Sequence, residues 1–261
     1  MSKVYYKSVE DIEQLRKSAS VLSQLLGEIA KVIRPGVTTL SLDKLAYDYI
    51  HDHGGTPAFL NYNGFPNSLC ISVNNEVVHG IPSGYELRDG DIISVDGGVD
   101  LGGYISDSAY TFAVGEVSDE VGQLLRVTLE ALDLGIAQAV SGKRVGDIGF
   151  AVQNHVAPYG YGVVRELVGH GVGFKLHEKP EVPNYGKRGS GSKLDEGLVI
   201  CIEPMINMGK AQVKFLDDGW TVSTADGKPS AHYEHMVAVS KGKADVLTTF
   251  AYIEEVLGKK D

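Results

Sequence analysis

Cysteine is scarce. Cys70 and Cys201 are the only two in 261 residues, which gives no basis for a disulfide framework or a cysteine-built zinc site. Positive charge is also in short supply. The 24 Lys and Arg stand against 34 Asp and Glu, and the net charge of −10 argues against general binding to a phosphate backbone. No apolar run approaches the roughly 20 residues that a membrane span needs. The first ten residues, Met1 to Glu10, lack the apolar core of a secretory signal, so the cytoplasm is the expected compartment. No Pro/Gly/Ser-rich linker divides the chain. The 43% hydrophobic and 22% charged content is that of an ordinary globular protein with one large core or two small ones.

Four helices are written in the apolar spacing. Ser8, with Asp11 three residues on, resembles a capping box, and Ile12, Leu15, Ala19, Leu22, Leu26, Ile29 and Ile33 form one stripe ending before Pro35-Gly36. Leu42 to Ile50 predicts a second helix, stopped by Gly54-Gly55. Val121 to Ala139 predicts a third and Asp147 to Tyr159 a fourth. Between the pairs, Phe59 to Cys70 reads as a loop whose aromatics among Asn, Gly and Pro suit a pocket wall. Ile71 to His79 reads as one strand, with the His79 ring at its end.

The stretch from Asp91 to Tyr110 reads as an antiparallel hairpin. A turn centred on Leu101-Gly102 would put Asp96 directly opposite Asp107, with Cβ atoms about 4.5–5.5 Å apart. Two carboxylates so placed repel unless something positive lies between them. A pair of divalent ions about 3.5–4 Å apart fits such a gap.

The second half echoes the first. Leu87–Asp96 matches Leu194–Glu203 at an offset of 107, each copy a turn, a short apolar strand and a terminal carboxylate. Asp107–Val114 has a counterpart in Glu234–Val239. Gly36, Leu42, Ile50 and Gly54 match Gly142, Ile148, Val156 and Gly160 at an offset of 106. This predicts a single domain over 1–261 with an internal repeat, its halves near 1–115 and 116–261, joined over a shared site. His170 sits among Gly169, Gly171 and Gly173, and His177 follows. Ser230 to Met236 reads as an alternating strand with His232, Glu234 and Met236 on one face.

Asp96, Asp107, Glu203, Glu234 and His170 make a set of hard oxygen donors with one imidazole. It suits a pair of ions such as Mn, Fe(II), Co or Zn better than a thiolate zinc site. Such a pair can activate a water and stabilise a tetrahedral oxyanion, with a spare carboxylate oxygen moving the proton and His79 and His177 bonding the scissile group. Hydrolysis of an amide follows from the residues alone.

At this point the chain resembles a known family. Asn61–Phe65, Val73–Pro82, Asp89–Asp96, Gly169–Gly173, His177-Glu178, Ile202–Met205, Gly219–Val222 and Tyr233–His235 together resemble the type I methionine aminopeptidases of the short bacterial kind, in order along nearly the whole chain. The resemblance implies the pseudo-symmetric α/β pita-bread fold, with antiparallel sheets backed by helices, and removal of the initiator Met from peptides and nascent proteins with a small second residue. It implies two divalent ions on Asp96, Asp107, His170, Glu203 and Glu234, with Glu203 also the proton shuttle. It further implies His177 on the substrate carbonyl, His79 near the scissile nitrogen, and Tyr62, Phe65, Cys70, Leu176 and Trp220 around the methionine side chain. Leu176 stands where the family has Phe. A monovalent cation near Asn74 and Ser230, a monomer and a transient ribosome contact belong to the same set of expectations. The rivals are an Xaa-Pro aminopeptidase or prolidase, whose usual N-terminal domain has no room before Ser8, and a non-catalytic binding relative, which would be expected to lose metal ligands.

Overall fold

A computed structural model describes residues 4–258; the ends of the 1–261 span lie outside them. Helix α1 covers Val9–Val32 and opens on the expected capping box. Ser8 Oγ accepts from the Asp11 amide and Asp11 Oδ2 accepts from the Ser8 amide. Its stripe is fully sequestered at Leu15, Leu22, Leu26 and Ile29. Each such side chain contributes about 1.5–3 kcal/mol of burial. Helix α2, Thr39–Asp52, is capped by Thr38. The strands of the first half are β1 (Thr56–Pro57), β2 (Leu69–Val73), β3 (Glu76–Val78), β4 (Ile92–Leu101) and β5 (Tyr104–Ala113). Helices α3 (Asp119–Ile136) and α4 (Val145–Val156) follow. The second half then supplies β6 (Gly162–Val163), β7 (Gly169–Gly171), β8 (Glu178–Val182), β9 (Val199–Ile202) and β10 (Met205–Asn207). The chain continues through β11 (Val213–Phe215), β12 (Val222–Thr224), β13 (Ser230–His232), β14 (His235–Ala238) and β15 (Asp245–Val246), and closes on α5 (Ala251–Leu257).

One sheet belongs to the first half, with β4 at its centre between β2 and β5. A five-stranded sheet in the order β15-β14-β9-β7-β8 belongs to the second, beside a separate three-stranded sheet, β13-β10-β6. The repeat is visible in the backbone. Gly36 and Gly142 both turn through the left-handed region, at φ 88° and 94°, ahead of the second helix of each pair. The halves meet where β5 runs beside the 232–234 segment. Glu234 N donates to Ala109 O, Ser108 Oγ to Glu234 O, and Thr111 Oγ1 to His232 O. The largest apolar cluster runs through both halves, from Leu22 on α1 to Ile253 on α5.

Four local expectations change. The hairpin turn is Gly102-Gly103 instead of Leu101-Gly102, because both central residues need positive φ (65° and 87°), which Leu101 would resist. The ladder therefore pairs Asp96 with Ala109 and Asp107 with Gly98. The two carboxylates are diagonal neighbours on one face instead of directly opposed. The expected strand 71–79 breaks at Asn74, whose φ is 53°; β2 stays in the first sheet while β3 leaves to pair with β12. The expected strand 230–236 also breaks, so that β13 pairs with β10 and β14 with β9. Leu69 and Cys70, read as the end of a loop, belong to β2.

Candidate metal centre and substrate pocket

The five expected ligands come from three structural devices. Asp96 and Asp107 face the site from the continuous β4–β5 ladder, and their carboxyls hydrogen-bond to each other. Glu203 and Glu234 stand just past β9 and just before β14, where both strands switch sheets. His170 lies in β7 between two glycines held by close approach. A Cβ at Gly169 would come within 2.4 Å of the Cys201 carbonyl, and one at Gly171 within 2.6 Å of the Lys179 carbonyl. His170 Nε2 lies 3.5 Å from Glu203 Oε1 and 3.8 Å from Asp107 Oδ2. Its Nδ1 bonds the Gly171 carbonyl at 2.9 Å, which orients the ring and leaves Nε2 as the ligating nitrogen.

The charges in this cluster are unbalanced. Burial raises the proton affinity of Asp96 to about 7, and burial together with the neighbouring carboxylates raises Asp107, Glu203 and Glu234 well above the usual range. No lysine or arginine pairs with any of them among the described residues. Asp96 Oδ1, Asp107 Oδ1, Glu203 Oε1 and Glu234 Oε1 are buried without a hydrogen-bond partner. Orphaned oxygens of this kind are costly unless a cation satisfies them. Donor atoms of Asp107, His170 and Glu234 lie within 4.8 Å of one another. The residues present fit divalent metal.

That donor cluster also contains Cys201, which sequence reasoning left out. Its signal was the parity of β9: Cys201 and Glu203 are two residues apart and share a face. Burial pushes its thiol well up, so it sits there protonated and bonded to Glu234. His232 was also overlooked. It is 1% exposed, its Nε2 is 3.8 Å from Glu203 Oε2, and neither ring nitrogen has a hydrogen-bond partner.

Above the carboxylates opens a cavity of about 440 Å³. Its apolar wall is Phe59, Phe65, Cys70 and Leu176, with Tyr62 and Trp220 packed against them. Trp220 meets Phe65 edge-on, with centroids 5.2 Å apart. Val78, Leu167 and Met205 also line it without having been singled out beforehand. His79 and His177 both reach this cavity. His79 holds a left-handed backbone at φ 60°, strain of the kind that collects at functional sites. Burial lowers its pKa to about 4, so it is neutral. The His177 ring lies 4.2 Å from that of His170, and its Nδ1 is 2.9 Å from the Tyr62 hydroxyl.

A buried, oxygen-rich donor cluster under an apolar pocket, on two pseudo-symmetric sheet halves, defines a metal-dependent peptidase. The profile of metallopeptidase family M24 matches residues 13–241, and the chain belongs to that family. Within it, the chain is 50% identical to the methionine aminopeptidase of Clostridium perfringens over 94% of its own length and 98% of the relative's. It superposes on the crystal structure of methionine aminopeptidase from Thermotoga maritima with a TM-score of 0.93 at 39% identity, covering 95% of this chain and all of that one. The fold is accordingly the pita-bread α/β fold. A prolidase from Pyrococcus furiosus shares that fold, with a TM-score of 0.76 at 24% identity, but this chain covers only 65% of it.

Proposed function

We propose that the chain is a dinuclear-metal aminopeptidase that removes the N-terminal methionine of peptides and nascent proteins, with preference for a small second residue. The observation that carries this is the set of four partnerless carboxylate oxygens at the floor of an aromatic-walled pocket. Asp96, Asp107, His170, Glu203 and Glu234 would hold two divalent ions drawn from Mn, Fe(II), Co and Zn. When bound, such ions polarise the scissile carbonyl and make a water nucleophilic near neutral pH. Phe59, Phe65, Cys70, Leu176 and Trp220 enclose the methionine side chain and exclude water from it. The Tyr62 hydroxyl donates to His177 Nδ1, which leaves Nε2–H to donate to the substrate carbonyl oxygen. His79, kept neutral by burial, bonds the scissile nitrogen. Glu203, ionised against the bound ions, would take the proton of the attacking water and pass it to the leaving amine.

The finer expectations join this proposal. A monovalent cation would sit where Ser230 N meets the Asn74 carbonyl. The protein would act as a cytoplasmic monomer with transient ribosome contact; no helix among the described residues is long and apolar enough to cross a membrane. The 1–261 chain would act as a single catalytic domain.

Release of the first residue from Met-Gly-Xaa and from Ala-Pro-Xaa, on metal-stripped protein with Mn, Fe(II), Co or Zn added back, tests the reading. Metal-restored release of Met alone is expected. Release from the Ala-Pro peptide would move the function to prolidase chemistry, and no release in protein that binds metal would leave a binding module.

A further inference from the structure

The chain enters the fold through a strap that the chemistry above does not use. Val4 bridges Lys179 in parallel and Tyr6 bridges Leu198 antiparallel, while Lys7 N donates to the Gly197 carbonyl at 2.7 Å. The strap thus spans from the start of β8 to the start of β9. Its last residue turns a lysine inward. Lys7 is 5% exposed, and its Nζ pairs with Glu178 with both side chains shut off from water. The Phe174 ring lies 5.4 Å from the ammonium. The other carboxylate oxygen of Glu178 accepts from the amides of Phe174 at 2.8 Å and Lys175 at 3.0 Å.

One carboxylate therefore closes the 174–178 turn on itself and ties it to residue 7. The turn carries Leu176, which closes the apolar pocket, and His177, which stands beside His170. The approach is close. A Cβ at Gly173 would fall 2.6 Å from Lys7 Cε. The Gly173 carbonyl also accepts from Ile105 N at 2.7 Å, so the turn is gripped from β5 as well. A buried ion pair adds little net stability over apolar residues of the same size, so stability alone does not explain this arrangement. A fixed place for the turn does.

We propose that Lys7 is a positioning residue: through Glu178 it holds the 174–178 turn so that Leu176 shapes the methionine pocket and His177 reaches the scissile group. This rests on the reading of those two residues given above. Lys7→Met keeps most of the stem and removes the charge. In the metal-loaded chain, kcat/KM for a Met-Gly peptide is expected to fall about tenfold, as displacement of a contact by a fraction of an ångström does. The amides of Phe174 and Lys175 should exchange hydrogen about tenfold faster, with the interior of α1 unchanged. The K7M/H177A double variant should be slower than H177A alone by clearly less than the K7M effect in the unaltered chain, the remainder being the share that acts through Leu176.

Unchanged exchange at 174–175, exchange that rises equally along α1, or K7M and H177A effects that multiply would each overturn the proposal. Should K7M fail to fold, the K7M/E178Q variant removes both charges together. It is expected to lose at least about threefold in kcat/KM with faster exchange confined to the turn, and unchanged values would again overturn the proposal. If the unaltered chain does not release methionine, the functional reading fails while the exchange result still decides the role of Lys7.

Discussion

The two halves deliver their carboxylates by different means. In the first half Asp96 and Asp107 project from an unbroken ten-residue ladder closed by a tight Gly-Gly turn. In the second half Glu203 and Glu234 sit at breaks, where the chain passes from one sheet to another around Pro204 and Tyr233. The register of β9 with β14, continued one step beyond Ile202 and His235, sets Glu203 opposite Glu234, whereas Asp96 and Asp107 are diagonal. A repeated sequence thus yields an offset pair and an opposed pair. Four carboxyls thus reach the candidate metal centre in two different registers.

The comparison sharpens first on the ligands themselves. Partners outside a metal's ligand shell typically matter 10- to 100-fold, so Asp107→Asn should lower metal affinity and kcat/KM by more than about 100-fold. The same substitution should raise the melting temperature of the metal-free protein at alkaline pH, since it removes a carboxyl whose ionisation burial, Glu234 and Asp96 all oppose. Calorimetric titration and thermal melts read the two effects.

Next comes pH. An acid with higher proton affinity folded than unfolded binds more protons in the native state, so its contribution to stability falls as pH rises. Asp96 near 7 and its three raised neighbours all act in this direction. The buried histidines act the other way. His170, His232 and His235 lie near 3 and His79 near 4, against 6.5 unfolded, so their opposing slope ends at about pH 6.5. Metal-free protein should therefore lose stability above pH 6.5, by at most about 1.4 kcal/mol per pH unit for each carboxyl that titrates. Added metal should abolish the loss. Urea melts at pH 6.5 and 8 check it.

Hydrogen exchange separates the halves directly. Metal addition should slow the amides of Met205 and Glu234, beside the breaks, more than those of Ser94 to Val99 in the ladder, which strand pairing already protects. Equal protection would erase the distinction.

Much of this was legible beforehand, for identifiable reasons. Apolar spacing and caps located the first four helices, because α1 and its counterparts bury one stripe each, but not the short α5, Ala251–Leu257. The five candidate ligands stand out in the sequence because each ends or begins a short apolar strand, or sits among glycines. The register was not legible. Whether Leu101 or Gly103 shares the turn depends on backbone handedness, and moving the turn by one position turns opposed aspartates into diagonal ones. The strand breaks at Asn74 and Tyr233 were hidden because local alternation continues through them while partner strands change. Cys201 and His232 were passed over because the alternation that puts them on the faces of Glu203 and Glu234 does not tell which residues of a face reach the site.

Two smaller effects concern the pocket. Cys70 is 5% exposed and its thiol is pushed well up by burial and by Asp96. A thiol reagent should inhibit more slowly than it reacts with a free cysteine, and a bound methionine analogue should protect. Inhibition without protection would point to Cys201. Leu176→Phe fills space already walled by Phe59 and Phe65, and should change KM for methionyl peptides only about two- to fivefold with kcat nearly constant.

The central claim is that two unlike strand pairs assemble one site for two ions. Titration of the metal-stripped chain with Co(II) or Mn, followed by calorimetry in parallel with methionine release, tests it most directly. Two equivalents bound per chain, with binding lost in both Asp107→Asn and Glu234→Gln, is the predicted result. A full complement of metal bound by either variant, or by the ladder aspartates without Glu203 and Glu234, would contradict the account.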